Sequence, residues 1–446
     1  MSHTDPALHR RLCCFRGARC SCVGKGRARP PSRRARSPPT GLGECRGQSA
    51  RYGRGLMARP RPDALRRRAR AGVPRPPERQ TPRIASPVRR RHTSRITGEG
   101  TTMRGVLAVL GLLGFGAQGE EAVWEIGPRS LAPPAAASAA LREAVAQTPT
   151  PALAEWASVQ PRTAEEWRAL GASFAGAPDL DAMASAAGVS IEADTIADVA
   201  VYRVMPAAGA KPPHEEHIFL YVHGGAYVFG GGPAAVSEAV VISAMAGIPS
   251  VAIDYRMPPD HPFPAAVDDT EAVYRQLLET REPSTIAIGG TSAGGGLTLA
   301  AVHRFKAVGL PVPGALYLGT PWADLTDASD SLHTNEGIDR ILVTYDGMLA
   351  SAAKLYAGEA EPTHALISPV YGDFTGFPPT YLVTGTRDML LSDTARVHRK
   401  LRVAGVVADL NVYEGLSHAE YAFLVGSPEY QQTYGELAQF LATHLR

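Results

Sequence analysis

A serine flanked by glycines, Gly290-Thr291-Ser292-Ala293-Gly294, lies where one apolar run, Ile286 to Ile288, gives way to another that begins Gly296-Leu297-Thr298-Leu299. The first run reads as a buried strand and the second as the start of a buried helix. A serine at such a strand-to-helix turn is held in a strained backbone with its Oγ raised above the sheet. Glycines two residues to either side are needed because a Cβ there would collide with a neighbouring strand or helix. The helix that follows points its N–H groups and positive dipole end at that Oγ. Such a setting favours a nucleophile whose reaction develops negative charge. A Gly-rich turn carrying a solvated serine would use the same residue types, and the position between strand and helix weighs against it.

A serine hydroxyl is a weak nucleophile until a base takes its proton. The base expected is a histidine oriented by a carboxylate, in the chain order Ser, Asp or Glu, His. Histidines after Ser292 include His303, His333, His364, His398 and His418. His303 and His398 fall within helical stretches. His333 and His364 lie in an irregular region, and position alone does not exclude them. His418 follows a core strand in Tyr413-Glu414-Gly415-Leu416-Ser417-His418, a loop from which a base can reach Ser292. The favoured carboxylate is Asp388, just past the strand ending Leu382-Val383-Thr384-Gly385. Asp393 is the weaker choice, expected to stabilise the N-terminus of the next helix. For the developing oxyanion, His223-Gly224-Gly225-Ala226 follows another strand and frees main-chain N–H groups to converge on one point. The N–H of Ala293 would be the third donor.

Positioning these residues takes alternating strands and helices, and from about residue 196 the sequence supplies them. Apolar strands are expected at Val199–Val204, His217–Val222, Ser250–Asp254, Ala315–Leu318, Pro379–Thr384 and Ala408–Tyr413. Helices are expected at Val236–Met245, Ala265–Glu279, Gly296–Val308 and Asp393–Ala404. Continuous apolar strands with crossover helices indicate an α/β fold with a mostly parallel central sheet covered on both faces. Ligands then bind beyond the carboxyl ends of the strands, where Ser292 lies. Residues 120–195 read mainly as helix, at Ala135–Gln147, Ala152–Ser158 and Thr163–Phe174, with a capping pattern Thr163-Ala164-Glu165-Glu166. Trp124, Trp156 and Trp167 add apolar surface there. This segment is expected to cover the mouth of the α/β core, with a contribution from about 323–365.

Composition divides the chain further. Residues 1–100 hold 25 Arg and one Lys against five acidic residues, a net charge of +21, so the other 346 residues carry −18. All five cysteines, Cys13, Cys14, Cys20, Cys22 and Cys45, lie in that first part, leaving the rest without thiol, disulfide or cysteine metal site. Residues 1–102, rich in Arg, Pro, Gly and Ser, cannot bury enough apolar surface to order themselves. A basic nucleic-acid-binding arm and an Arg-rich targeting peptide are both compatible with them. The favoured expectation is that they are not native sequence, because Met103–Gly119 has the basic residue, apolar stretch and small residues of a secretory signal. A start at Met103 implies a secreted or periplasmic protein, and otherwise a cytoplasmic one is expected. The apolar run is too short to span a membrane. Nucleic acid is not an expected partner.

Three stretches together give a family resemblance: His223-Gly224-Gly225-Ala226-Tyr227, the long run from Asp254-Tyr255-Arg256-Met257-Pro258-Pro259-Asp260-His261-Pro262 to Asp269, and Gly290–Gly295. Over roughly 195–446 the chain resembles the hormone-sensitive-lipase-like esterases of the α/β-hydrolase fold, in a bacterial branch with Thr291 rather than Asp before the serine. The resemblance implies a triad of Ser292, Asp388 and His418, oxyanion donors at Gly224, Gly225 and Ala293, and hydrolysis of small or medium acyl esters without metal or organic cofactor. Ala226 stands where the family usually has a third glycine. Asp254, Tyr255, Arg256 and Asp269 are expected to be structural. Tyr227 and Phe229 are candidates for lining the substrate pocket, and simple packing would use them equally well. An amidase or β-lactam hydrolase with the same triad is the enzymatic alternative. A binding protein of the same fold, like the plant gibberellin receptors that lack the histidine, is the other, and His418 argues against it.

Overall fold

The computed structural model describes residues 126–174 and 178–446. The basic segment 1–102, the signal-like segment 103–119, the cysteines and Trp124 lie outside the described residues. Gly127–Arg446 belongs to one compact unit.

Among the described residues, four helices come first: α1 (Ala139–Gln147), α2 (Leu153–Ala157), α3 (Ala164–Phe174) and α4 (Leu180–Ala187). The capping pattern at α3 forms as expected. Thr163 Oγ1 accepts from Glu166 N at 3.2 Å, and the Glu166 carboxylate accepts from Thr163 N at 3.0 Å. Strands β1 (Val189–Ile196), β2 (Val199–Pro206), β3 (Ile218–Val222) and β4 (Ser250–Ile253) follow, with α5 (Ser237–Ala246) between the last two. The remaining core elements are α6 (Ala265–Leu278), β5 (Ile286–Thr291), α7 (Ala293–Ala307) and β6 (Ala315–Gly319). Two helices, α8 (Asp330–Thr334) and α9 (Met348–Ala357), lie in the segment before β7 (Thr380–Gly385). The chain ends with α10 (Leu391–Val403), β8 (Ala408–Tyr413), α11 (Glu420–Phe423) and α12 (Pro428–His444).

Among the described residues, eight strands form one sheet in the order β1-β2-β4-β3-β5-β6-β7-β8, in which β3 to β8 are parallel and β2 pairs antiparallel with both β1 and β4. Strand β1 corrects the expectation of helix up to residue 195. Its outward residues are polar, so it lacks the apolar run that marks the other strands. It reaches β2 through a two-residue turn in which Ala197 and Asp198 both have positive φ, a hairpin geometry usually signalled by Asn-Gly.

Strands β3 to β7 are buried along their whole length. Their side chains alternate between two cores, as the pleat requires. Leu220, Ile288, Leu316 and Leu382 face the core shared with α6, α7 and α10. Phe219, Ala287, Tyr317 and Tyr381 face the core shared with α5 and α12. Burial on both faces pins the register, because a slip of one residue would exchange the two sets. The parallel arrangement brings the carboxyl ends of β3, β5, β6, β7 and β8 to one edge, so residues far apart in sequence meet there.

Candidate active site

Ser292 joins β5 to α7 with φ 62° and ψ −124°, a backbone conformation that costs a non-glycine residue energy. Main-chain bonds hold it there. Its N–H donates to Gly319 O at 2.8 Å, and its carbonyl accepts from Trp322 N at 2.9 Å and Gly296 N at 3.1 Å. A Cβ at Gly290 would stand 1.9 Å from Val222 O, and one at Gly294 2.1 Å from the same oxygen. The flanking glycines are thus required by the close approach of β3 to the turn. Ser292 itself stays partly exposed.

Asp388 and His418 occupy the loops after β7 and β8. His418 Nδ1 lies 3.1 Å from Asp388 Oδ1, and both side chains are buried. With Nδ1 donating to the carboxylate, the other ring nitrogen is left to act as a base. Thr384 Oγ1 donates to Asp388 Oδ2 at 3.0 Å, and Leu390 N donates to Oδ1 at 2.8 Å. Thr320 Oγ1, from the loop after β6, also donates to Oδ2 and lies 3.3 Å from His418 Nδ1. The carboxylate is therefore fixed on every side. Burial works against a charged His418, but the Asp388 charge and hydrogen bond, with help from Asp339, raise its pKa above the ordinary histidine value.

The other titratable candidates go elsewhere. His303 Nε2 is 3.1 Å from Pro369 O, His333 Nε2 is 3.2 Å from Asp327 O, and His364 Nδ1 accepts from Leu366 N at 3.2 Å. Asp393 lies in the first turn of α10, yet its carboxylate does not cap that helix. It accepts from Ala323 N at 2.9 Å, from Asp324 N at 2.8 Å and from Ser329 Oγ. Asp393 thus lies at the helix N-terminus as expected, and its hydrogen bonds go to the loop that follows β6, which it anchors.

The loop after β3 packs its backbone against the serine turn. A Cβ on Gly224 would lie 2.6 Å from Thr291 O and 3.4 Å from the Cβ of Ser292. Gly225 has φ +118°, and a Cβ there would meet Phe229 O at 2.2 Å. Among the described residues, no acceptor pairs with the main-chain N–H of Gly224, Gly225 or Ala293. Ala226 and Tyr227 carry the turn onward with φ of 53° and 64°, and Val228 N and Phe229 N both donate to Gly225 O. The residues expected to be structural hold this loop. Tyr255 Oη donates to His223 O at 2.9 Å, and its ring stacks on His223 at 4.0 Å. Asp254 Oδ1 accepts from Gly232 N at 2.8 Å. Arg256 N and its guanidinium both donate to buried Asp269, the closest contact being 2.6 Å. Burial lowers the pKa of His223 to about 4, so it is neutral at physiological pH.

The two residues suggested for the pocket part company. Tyr227 is buried, donates to Trp322 O at 2.9 Å and stacks on Tyr356 at 4.2 Å. It is a packing residue. Phe229 is only partly buried and lies 5.9 Å, ring to ring, from Trp167, so α3 packs against this loop.

Behind the serine lies a cluster that the sequence did not signal. Buried Glu238 accepts from Tyr317 at 2.6 Å, Tyr434 at 2.9 Å and Tyr221 at 3.1 Å. Tyr317 and Tyr421 in turn reach Thr291 Oγ1 at 3.1 and 3.0 Å. Thr291 precedes Ser292 and Tyr421 follows His418 by three residues, so this network joins the segments that carry Ser292 and His418. Burial raises the pKa of Glu238, opposed by its tyrosine hydrogen bonds.

Residues 219–422 match a family described as the alpha/beta hydrolase fold. An acetyl-hydrolase of Streptomyces hygroscopicus is 32% identical over 248 residues, covering 55% of this chain and 82% of that protein. An esterase of Acinetobacter venetianus is 30% identical over 224 residues, covering 50% and 74%. Among solved structures, esterase E25 superposes with a TM-score of 0.70 at 46% identity, covering 73% of this chain and 99% of that one. An esterase from the bacterial hormone-sensitive lipase family gives 0.57 at 31% identity, covering 66% and 96%. The chain therefore has the α/β-hydrolase fold and belongs to the hormone-sensitive-lipase-like esterase family. Among the described residues, no helix is long and apolar enough to cross a membrane.

Proposed function

We propose that the chain is a serine carboxylesterase hydrolysing short- to medium-chain acyl esters through an acyl-enzyme intermediate. Ser292 attacks the ester carbonyl while His418 takes its proton. His418 returns that proton to the departing alcohol, and a water activated by the same imidazole then releases the acid. Asp388 fixes the imidazole's tautomer and stabilises its cation. The N–H groups of Gly224, Gly225 and Ala293 receive the oxyanion, and a single such donor is worth about 3 kcal/mol of barrier. What supports this reading is a strained, partly exposed serine after β5 and a buried His418–Asp388 pair at 3.1 Å in the loops after β7 and β8, strands whose carboxyl ends lie along the same sheet edge. Relatives named acetyl-hydrolase and carboxylesterase support it. Helices α1 to α4, with the 323–365 segment, are proposed as the cover that limits acyl length. Trp167 packed on Phe229 supports that placement.

The test is a panel of p-nitrophenyl esters from acetate to laurate, with p-nitroacetanilide and nitrocefin beside them. The kcat/KM is expected to be highest at acetate or butyrate and to fall by roughly tenfold or more at laurate, equivalent to about 1.4 kcal/mol of lost transition-state binding. Preferred turnover of the anilide or of nitrocefin would make the chain an amidase or β-lactam hydrolase instead. Absence of turnover on the whole panel would favour the binding-protein reading.

A further inference from the structure

A second carboxylate lies beside the His418–Asp388 pair. Asp339 is fully buried, in the turn between α8 and α9. Its Oδ2 accepts from His418 N at 3.2 Å and from Met389 N at 2.9 Å, so one oxygen bridges the loops that carry both partners. Its Oδ1 accepts from Ile341 N at 2.8 Å and Leu342 N at 3.1 Å, which closes its own turn. Neighbouring residues repeat the attachment. Asn335 Nδ2 donates to Asp388 O at 2.8 Å, Arg340 N donates to Ser417 Oγ at 3.1 Å, and buried Arg340 pairs with Glu420.

Four N–H donors on one carboxylate are more than loop closure needs, since the two from Ile341 and Leu342 would close the turn. The other two come from the residue after Asp388 and from His418 itself. We propose that Asp339 is a positioning residue for ester hydrolysis: it fixes the Asp388 and His418 loops to each other and sets a second negative charge beside the imidazole that becomes cationic when Ser292 loses its proton. This rests on the triad proposed above. The charged groups around Asp339 are His418 and Asp388, with the Arg340–Glu420 pair adjoining on the same turn and loop. Burial and the charge of Asp388 raise the pKa of Asp339 to about 6, with His418 opposing. Above that pH the carboxylate is charged and favours the imidazolium. Below it the support is lost.

The experiment compares wild-type and Asp339→Asn full-length protein on p-nitrophenyl butyrate across the pH range. Asparagine keeps one acceptor oxygen but removes the charge and turns an amide N–H₂ toward two donors. The kcat is expected to fall by roughly 10- to 100-fold, the scale of a lost charge-assisted hydrogen bond. KM should stay within about twofold, because the group does not touch substrate. The acid limb of kcat/KM should move to lower pH, because a less stabilised imidazolium loses its proton earlier. Wild-type kcat, or a lower kcat with an unmoved acid limb, overturns the proposal. If Asp339→Asn does not fold, the ring-proton resonances of His418 in wild-type protein decide instead, assigned by their loss in His418→Gln. Two inflections, one from Asp339 near pH 6, support the coupling, and a single transition ends it. Wild-type turnover separates the two readings: an inactive wild type overturns both, whereas an active wild type with an indifferent Asp339→Asn overturns this one alone.

Discussion

Replacing Ser292 with alanine should lower kcat on p-nitrophenyl butyrate by about 10⁶-fold while leaving the fold in place. The first half follows from chemistry: without the Oγ no acyl-enzyme can form, and what remains is the oxyanion site acting on bound water. The second half follows from how the turn is held. Ser292 is fixed by its main-chain bonds to Gly319, Gly296 and Trp322, none of which uses the hydroxyl. Alanine meets the same positive φ as serine, so the strain is unchanged rather than relieved. Thermal unfolding should therefore give a Tm within a few degrees of wild type, and near-UV circular dichroism should overlay. A large loss of Tm together with activity would mean that the hydroxyl holds the turn, and the assignment of a purely chemical role would fail.

Removing the base should cost as much as removing the nucleophile, because the two act as a unit. His418→Ala is expected to lose about 10⁶-fold in kcat, and the Ser292→Ala/His418→Ala double variant should be no worse than either alone. Asp388→Asn should lose about 10⁴-fold, with the imidazole held in the wrong tautomer. Its pH profile carries a sign that can be fixed in advance. His418 must be neutral to act, so activity is lost as pH falls through its pKa. That pKa is raised in the wild type: burial opposes the rise, and the Asp388 charge and hydrogen bond outweigh it. The acid limb of kcat/KM should thus move to lower pH in any residual activity of Asp388→Asn. Stability should fall as well. Asp388 accepts from Thr320, Thr384, Leu390 and His418, and an asparagine must turn its N–H₂ toward some of these donors. Steady-state kinetics over a pH series, with Tm measured alongside, checks each part.

Residues that announce themselves by local pattern were legible in the sequence. The serine turn is spelled by glycines between an apolar strand and an apolar helix, and the structure shows why: β3 passes within van der Waals reach of both flanking positions. Strands β3 to β7 read as unbroken apolar runs because both faces of the sheet are covered. His418 and Asp388 were singled out by the rule that ligands meet strand carboxyl ends, and the structure places them 3.1 Å apart. Elements whose reason lies at long sequence separation were not legible. Thr320 reaches across 68 residues to Asp388, Glu238 across 196 to Tyr434, and Asp339 across 79 to His418. Each is an ordinary polar residue in its own stretch, and only the fold makes it part of the site. The same holds for Asp393, whose place in the first turn of α10 suggested a cap, while its partners sit at Ala323, Asp324 and Ser329. Strand β1 was missed for a local reason. Its polar outward face and Ala197-Asp198 turn lack both signals on which strand reading depends.

Covalent labelling tests the central claim most directly. Wild-type protein treated with an organophosphate such as paraoxon should lose esterase activity in step with the incorporation of one phosphoryl group per chain. Mass spectrometry of the digested protein should place that group on the peptide containing Ser292, and His418→Ala should label far more slowly. An enzyme that stays active on p-nitrophenyl butyrate while Ser292 remains unlabelled, or whose inactivation maps to another residue, would contradict the account.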